Sequence, residues 1–89
     1  MYEVRLIDGF QKDLNQLKKE NKKNLHKLEY FIAELKKHPK SGTGKVEQLK
    51  YQNEEYIFSR RISKKHRLIY KIDEKEKIVY LISCFGHYK

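Results

Sequence analysis

The stretch Tyr56-Ile-Phe-Ser-Arg-Arg-Ile62, Ser63-Lys-Lys65, His66-Arg-Leu-Ile-Tyr-Lys-Ile72 joins two runs rich in β-branched and aromatic residues through a short polar turn. That is the pattern of two paired strands. In the second run Leu68, Tyr70 and Ile72 alternate with Arg67, Ile69 and Lys71. The first set is predicted to face a core and the second an open surface, because successive strand residues point to opposite sides. Residues 78–85 read as a further strand beyond the turn at 73–76. Residues 46–50 read as a short strand after the loop Ser41-Gly-Thr-Gly44, with residues 53–55 as the turn that follows. Turns this short favour antiparallel pairing.

The period changes towards the N-terminus. Phe10, Leu14 and Leu17 recur at helical spacing, with Asp8 as the expected N-cap and an end near Asn21. Leu25, Leu28, Ile32 and Leu35, with Phe31 beside them, mark a second helix from about Asn24, stopped by Pro39. The short Asn21-Lys22-Lys23 link predicts an antiparallel helical hairpin. Residues 2–6 alternate as a half-buried strand would. The expected fold class is α+β, a single domain over residues 1–89. An N-terminal strand and a two-helix hairpin precede a mostly antiparallel sheet, with the helices on one face and the other partly free.

Eighty-nine residues leave room for one core. Hydrophobic content is only 38%, yet it falls in periodic runs with seven Tyr and four Phe, which disordered chains lack. No stretch approaches the roughly 20 apolar residues of a membrane span. The first residues carry no apolar run behind a basic start, so no secretory signal is expected. A lone Cys84 makes no internal disulfide. A cytoplasmic location is therefore expected, with no membrane partner.

The formal net charge is +9, and its distribution is uneven. Residues 36–71 hold eleven Lys or Arg against only Glu47, Glu54 and Glu55, so nearly all the excess lies in the middle of the chain. A basic block interleaved with Tyr51, Tyr56, Phe58 and Tyr70 points to a polyanion, and nucleic acid fits it better than a membrane. The block does not fall on an amphipathic helix.

The chemistry on offer is narrow. His26, His38, His66, His87 and Cys84 lack paired metal-ligand spacing, no glycine-rich phosphate loop precedes a helix, and no nucleophile turn is present. Neither metal nor cofactor is expected. RNA, however, carries its own nucleophile, the 2′-hydroxyl. Cutting it without metal needs a base, cations at the phosphate and an acid. Glu47, between Lys45 and Lys50, is the candidate base. Arg60, Arg61 and Arg67 supply guanidinium forks for phosphate oxygens. His87 is the candidate acid, since imidazole exchanges protons near neutrality, and Tyr88 is suited to stacking on a base. Each has a plainer explanation taken singly: a strand Glu paired with Lys, a surface salt bridge, a frayed tail. His66 reads as a turn residue starting a strand, His38 as capping the second helix, His26 as exposed, and Cys84 as core.

The segments Gly44-Lys-Val-Glu-Gln-Leu-Lys50, Phe58-Ser-Arg-Arg-Ile62, His66-Arg-Leu-Ile-Tyr70 and His87-Tyr88 resemble the YoeB/Txe toxins of the RelE superfamily in order and spacing. The likeness spans essentially the whole chain. It implies a RelE-like microbial ribonuclease fold and a type II toxin, an mRNA interferase cutting message in the ribosomal A site. It further implies a cognate antitoxin, a homodimer, and contact with DNA only through the antitoxin. By position Glu47 matches the family's general base, His87 its general acid and Arg67 its phosphate-stabilising arginine. Lys50 and Arg61 match further basic residues, and Tyr88 the terminal aromatic. Two departures stand out: Val46 and Gln48 flank the glutamate where members commonly carry Pro, and Lys89 follows the His-Tyr pair.

Two function classes follow. One is a metal-independent endoribonuclease that blocks translation. The other is a non-catalytic basic module that occupies RNA or the ribosome. A DNA-binding regulator fits less well, because the helices lack a basic recognition face.

Overall fold

The computed structural model describes residues 1–52 and 55–86, with Tyr51 and Gln52 described by backbone alone. Asn53, Glu54, His87, Tyr88 and Lys89 lie outside the described residues. The chain runs β1 (Glu3–Leu6), α1 (Phe10–Glu20), α2 (Lys22–Leu35), β2 (Glu47–Gln52), β3 (Glu55–Arg61), β4 (Arg67–Asp73) and β5 (Ile78–Ser83). The five strands form one sheet in the order β1-β5-β4-β3-β2. All neighbours are antiparallel except β1, which lies parallel to β5 with Glu3 opposite Ile78 and Leu6 opposite Leu81.

Both helices begin differently from the sequence expectation. Asp8 does not cap α1. The N-cap is Gly9 at φ +94°, with no side-chain bond, and the Phe10 N–H donates to the Ile7 carbonyl at 3.0 Å. A side chain at +94° is strained, which suits glycine there. The interhelical link is shorter than expected, because Asn21 alone serves both helices. Its N–H donates to the Leu17 carbonyl at 3.1 Å, and its Oδ1 accepts the Lys23 N–H at 2.9 Å. One residue thus ends α1 and caps α2.

The core lies between the helices and one face of the sheet. Phe10 and Leu17 from α1 and Leu28, Phe31 and Leu35 from α2 meet Phe58, Leu68, Tyr70, Ile72, Val79 and Leu81, all buried. Each large side chain withdrawn from water contributes on the order of 2 kcal/mol. Truncating Phe31 to Ala should cost about 3–5 kcal/mol through the cavity it leaves. Leu68, Tyr70 and Ile72 face the core as the alternation predicts, and the surface carrying Arg67 and Lys71 has no helix on it. Ile69 departs from the expectation, since it lies between those two cations yet is buried rather than open. No described helix is long and apolar enough to cross a membrane.

Candidate active site on the open face of the sheet

The strand register defines what the open face presents. Glu47 on β2 stands opposite Ser59 on β3, which stands opposite Ile69 on β4, which stands opposite Ser83 on β5. One row along, Arg61 stands opposite Arg67. A row the other way holds Lys50, Ile57, Lys71 and Tyr80. A bulge between Gln48 and Lys50 brings Lys50 onto the same side as Glu47; without the extra residue, Leu49 would occupy that place. Strand spacing puts the Glu47 Cα roughly 8 Å from that of Arg61 and roughly 12 Å from that of Arg67. Glutamate and arginine side chains can bridge those gaps to one phosphodiester.

The charges in this patch are unbalanced. Among the described residues, neither Arg61 nor Arg67 has a carboxylate within ion-pairing distance, and both are half-buried. Lys45 and Lys50 are exposed and likewise without an acidic partner there. Lys71 differs: it pairs with Glu55 at 3.3 Å and lies 5.0 Å from the centre of the Tyr80 ring. Like charges placed directly across two strands repel, so the Arg61–Arg67 pair costs stability until an anion lies between them. Ser59, in the row beside them, is buried with a hydroxyl that has no hydrogen-bond partner among the described residues. A spare buried donor beside Glu47 is itself unusual.

Arg60 belongs elsewhere, and the expectation that it binds phosphate is corrected. It shares the covered face with Phe58 and Ile62 and is 0% exposed. Its five N–H donors are all used: on the Tyr70 hydroxyl at 3.1 Å, on Glu34 Oε1, and on the carbonyls of Thr43 at 3.3 Å, His38 at 2.7 Å and Ser41 at 2.9 Å. The Tyr70 hydroxyl in turn donates to the Pro39 carbonyl at 2.8 Å. Glu34 accepts the Thr43 N–H at 2.8 Å and its hydroxyl at 3.0 Å. The Thr43 backbone bond, together with Arg60, holds the Glu34 carboxyl below the usual carboxylate range despite its burial. The network therefore fixes the loop at 38–43.

That loop delivers Glu47. After it, Gly44 at φ +90° sits so close to Phe31 that a Cβ would come within 2.5 Å of the ring. The Gly44 carbonyl accepts the Arg61 N–H at 2.6 Å, and Lys45 follows at φ +50°. Val46 then packs half-buried against the core. With Val46 and Gln48 in place of proline, the chain entering β2 is held by Arg60 and by this anchored turn.

The opposite end of the face is set by His66, which the sequence suggested was only a turn residue. It is buried, its Nδ1 accepts the Gly86 N–H at 2.9 Å, and its Nε2 meets Glu20 Oε1 at 2.9 Å. Phe85 stacks on the ring with centroids 4.4 Å apart. The bond to His66 lowers the Glu20 pKa. The Gly86 carbonyl accepts the Arg67 N–H at 3.1 Å. No local signal in the sequence could have revealed this, since Glu20 and Gly86 are 46 and 20 residues away. The candidate acid His87 and Tyr88 lie outside the described residues, one and two positions beyond Gly86.

The remaining candidates are quickly placed. His26 and His38 are exposed; the cap of α2 is Lys36, while His38 donates its backbone N–H to the Glu34 carbonyl. Cys84 is buried and its thiol is pushed up to about 12 by burial, with Asp13 adding to the effect, so it is no nucleophile. Among the described residues no three His, Cys, Asp or Glu side chains gather as metal ligands would. A hollow of about 480 Å³ lined by Asn15, Lys18, Lys19 and Lys22 lies on the helical layer, away from the open face.

Comparison with known proteins agrees with this architecture. The YoeB toxin of a Synechocystis strain is 38% identical over 69 residues, covering 78% of this chain and 77% of the relative. A YoeB/ParE toxin from Agrobacterium tumefaciens superposes with a TM-score of 0.81 at 25% identity, over 97% of this chain and 99% of that one. The structure of a YoeB–YefM complex from Staphylococcus aureus matches with a TM-score of 0.75 at 28% identity, over 99% of both chains. Residues 7–88 match the family of YoeB-like toxins. With the fold, the sequence match and the relatives in agreement, this chain belongs to the YoeB-like toxins of bacterial type II toxin–antitoxin systems.

Proposed function

We propose that the chain is an mRNA endoribonuclease that acts on message held in the ribosomal A site and so stops translation. The observation that carries this is the Arg61–Arg67 pair, two arginines opposite each other on β3 and β4 without an acidic partner among the described residues, one row from Glu47. In the proposed reaction Glu47 takes the proton from the 2′-hydroxyl, whose oxygen forms a bond to phosphorus. Arg67 and Arg61 stabilise the charge that grows on the phosphoryl oxygens, as fixed donors in a partly dry site do best. Lys50 and Lys45 hold flanking phosphates. The bond from phosphorus to the 5′-oxygen breaks, and His87 protonates that oxygen. A 2′,3′-cyclic phosphate and a 5′-hydroxyl result. Tyr88 stacks on a base beside the cut. No step requires a metal ion, because the substrate supplies the nucleophile.

The setting follows from the same reading. The Staphylococcus relative is seen with its YefM partner, and a cognate antitoxin is proposed to cover this toxin in the cytoplasm. DNA is reached only through the antitoxin, and a homodimer is the proposed free form.

The test is in vitro translation with purified protein and mapping of the RNA ends. Glu47→Ala, Arg67→Ala and His87→Ala should each abolish most of the inhibition. Wild-type toxin treated with EDTA and then freed of the chelator before it meets Mg²⁺-containing ribosomes should cut as well as untreated toxin. Unchanged inhibition in all three variants would sink the site. Full inhibition by His87→Gln with no cut RNA would make the protein a binder.

A further inference from the structure

We propose that His66, held by Glu20, is a positioning residue that sets where His87 stands relative to Arg67; this rests on the ribonuclease reading above. The Gly86 N–H points at Nδ1 from 2.9 Å, so Nδ1 acts as the acceptor and the ring proton is on Nε2. Nε2–H then donates to Glu20 Oε1, also at 2.9 Å. The carboxylate selects the tautomer, and the tautomer selects the contact with Gly86. Phe85 stacks on the same ring, so two consecutive residues of the C-terminal segment are gripped by one side chain.

The neighbouring residue completes the clamp. The Gly86 carbonyl accepts the N–H of Arg67, which follows His66 in the chain. The N–H and the carbonyl of Gly86 are therefore held by consecutive residues, His66 and Arg67. Consecutive Cα atoms are about 3.8 Å apart, so the point from which His87 departs is tied to the strand carrying the phosphate-binding arginine. Gly86 itself sits at φ +89°, with nothing within 4 Å of where a Cβ would be. The constraint on it comes from its two hydrogen bonds and its left-handed backbone, not from crowding. The turn before His66 needs none of its side chain: Ser63 Oγ accepts the Lys65 N–H at 3.2 Å and the His66 N–H at 3.1 Å. The imidazole is left free for the C-terminal segment.

Two amides separate the halves of this clamp in the full-length protein. His66→Asn puts an amide oxygen where Nδ1 stands and keeps the Gly86 bond. His66→Gln reaches towards Glu20 but loses the Gly86 bond. Each variant is compared with wild type by hydrogen exchange at the Gly86 amide, by thermal melting, and by kcat and KM for cutting message on programmed ribosomes. His66→Gln should lose protection at Gly86 and lower kcat about 10²-fold, the scale of a small misplacement of a reacting group. KM should stay within about twofold, because phosphate contacts are untouched. His66→Asn should recover protection and most of kcat. Glu20→Ala, at an exposed position, should fold normally and lower kcat several-fold, keeping the test open if His66→Gln does not fold.

Loss of Gly86 protection with unchanged kcat would overturn the positioning role. So would equal losses of kcat in the Asn and Gln variants that follow their melting temperatures. A wild type that cuts nothing would instead overturn the ribonuclease reading, while Gly86 protection would still report on the clamp.

Discussion

Arg60 and Arg61 are consecutive residues with opposite lives. Arg60 points under the helices, where its five donors meet Glu34, Tyr70 and three loop carbonyls. Arg61 points to the open face, opposite Arg67, with no carboxylate partner among the described residues. The strand period alone separates them. A buried guanidinium must be saturated or it is ruinous, whereas a half-exposed one is tolerated unsatisfied because water and a ligand can reach it. One arginine therefore builds the loop that leads to Glu47, and the other is left available for the proposed phosphate contact. Charge counting cannot distinguish them; position in the pleat does.

Substitutions can break this contrast. The largest effect should come from Arg60→Leu, which strands Glu34 and three carbonyls and should cost about 3–5 kcal/mol in urea unfolding. That is a large share of the roughly 5–15 kcal/mol available to a domain. A loss under 1 kcal/mol would mean that the network does not hold the loop. Arg61→Ala should do the reverse. Its unfolding free energy should stay within about 0.5 kcal/mol of wild type, or rise slightly as repulsion from Arg67 is relieved, while translation inhibition falls about 10²-fold. Equal effects on both properties would erase the distinction.

Acid should weaken the buried network. The Glu34 carboxyl is held low when folded, so its contribution is fully present above pH 4.5 and is lost as pH falls through its lowered folded value. Glu34→Gln should flatten the stability profile in that acid range and destabilise the protein at neutral pH; a profile parallel to wild type would remove Glu34 from the network. The smallest effect belongs to Lys50→Ala. It should leave melting unchanged and reduce the salt slope of RNA binding by about 0.7, the value for one phosphate contact on a single strand. An unaltered slope would place Lys50 off the RNA path.

Much of this contrast was written in the sequence. The alternation of residues 67–72 separated Arg67 from Leu68, Tyr70 and Ile72, and the same period applied to Phe58, Arg60 and Ile62 would have buried Arg60. Charge alone hides that signal, because Arg60 and Arg61 are neighbours of the same type in a basic block. The helical hairpin was legible because Leu and Phe recur at helical spacing. Its single-residue turn at Asn21 was not, since capping depends on which side chain reaches which N–H. His66 was illegible for a deeper reason: its partners Glu20 and Gly86 come from opposite ends of the chain, and only closure of the fold brings them to it. The bulge that turns Lys50 to the Glu47 side is likewise a property of pairing, not of composition.

The parallel pairing of β1 with β5 sets a timetable for synthesis. Residues 3–6 are made first but find their partner only when residues 78–81 exist. At roughly 5–20 residues per second, the first strand waits on the order of 4–15 s without a neighbour. The row from Glu47 through Ser59 and Ile69 ends at Ser83, on that same last strand. Until β5 has been made, a growing chain has the hairpin that carries Glu47 but an unfinished face.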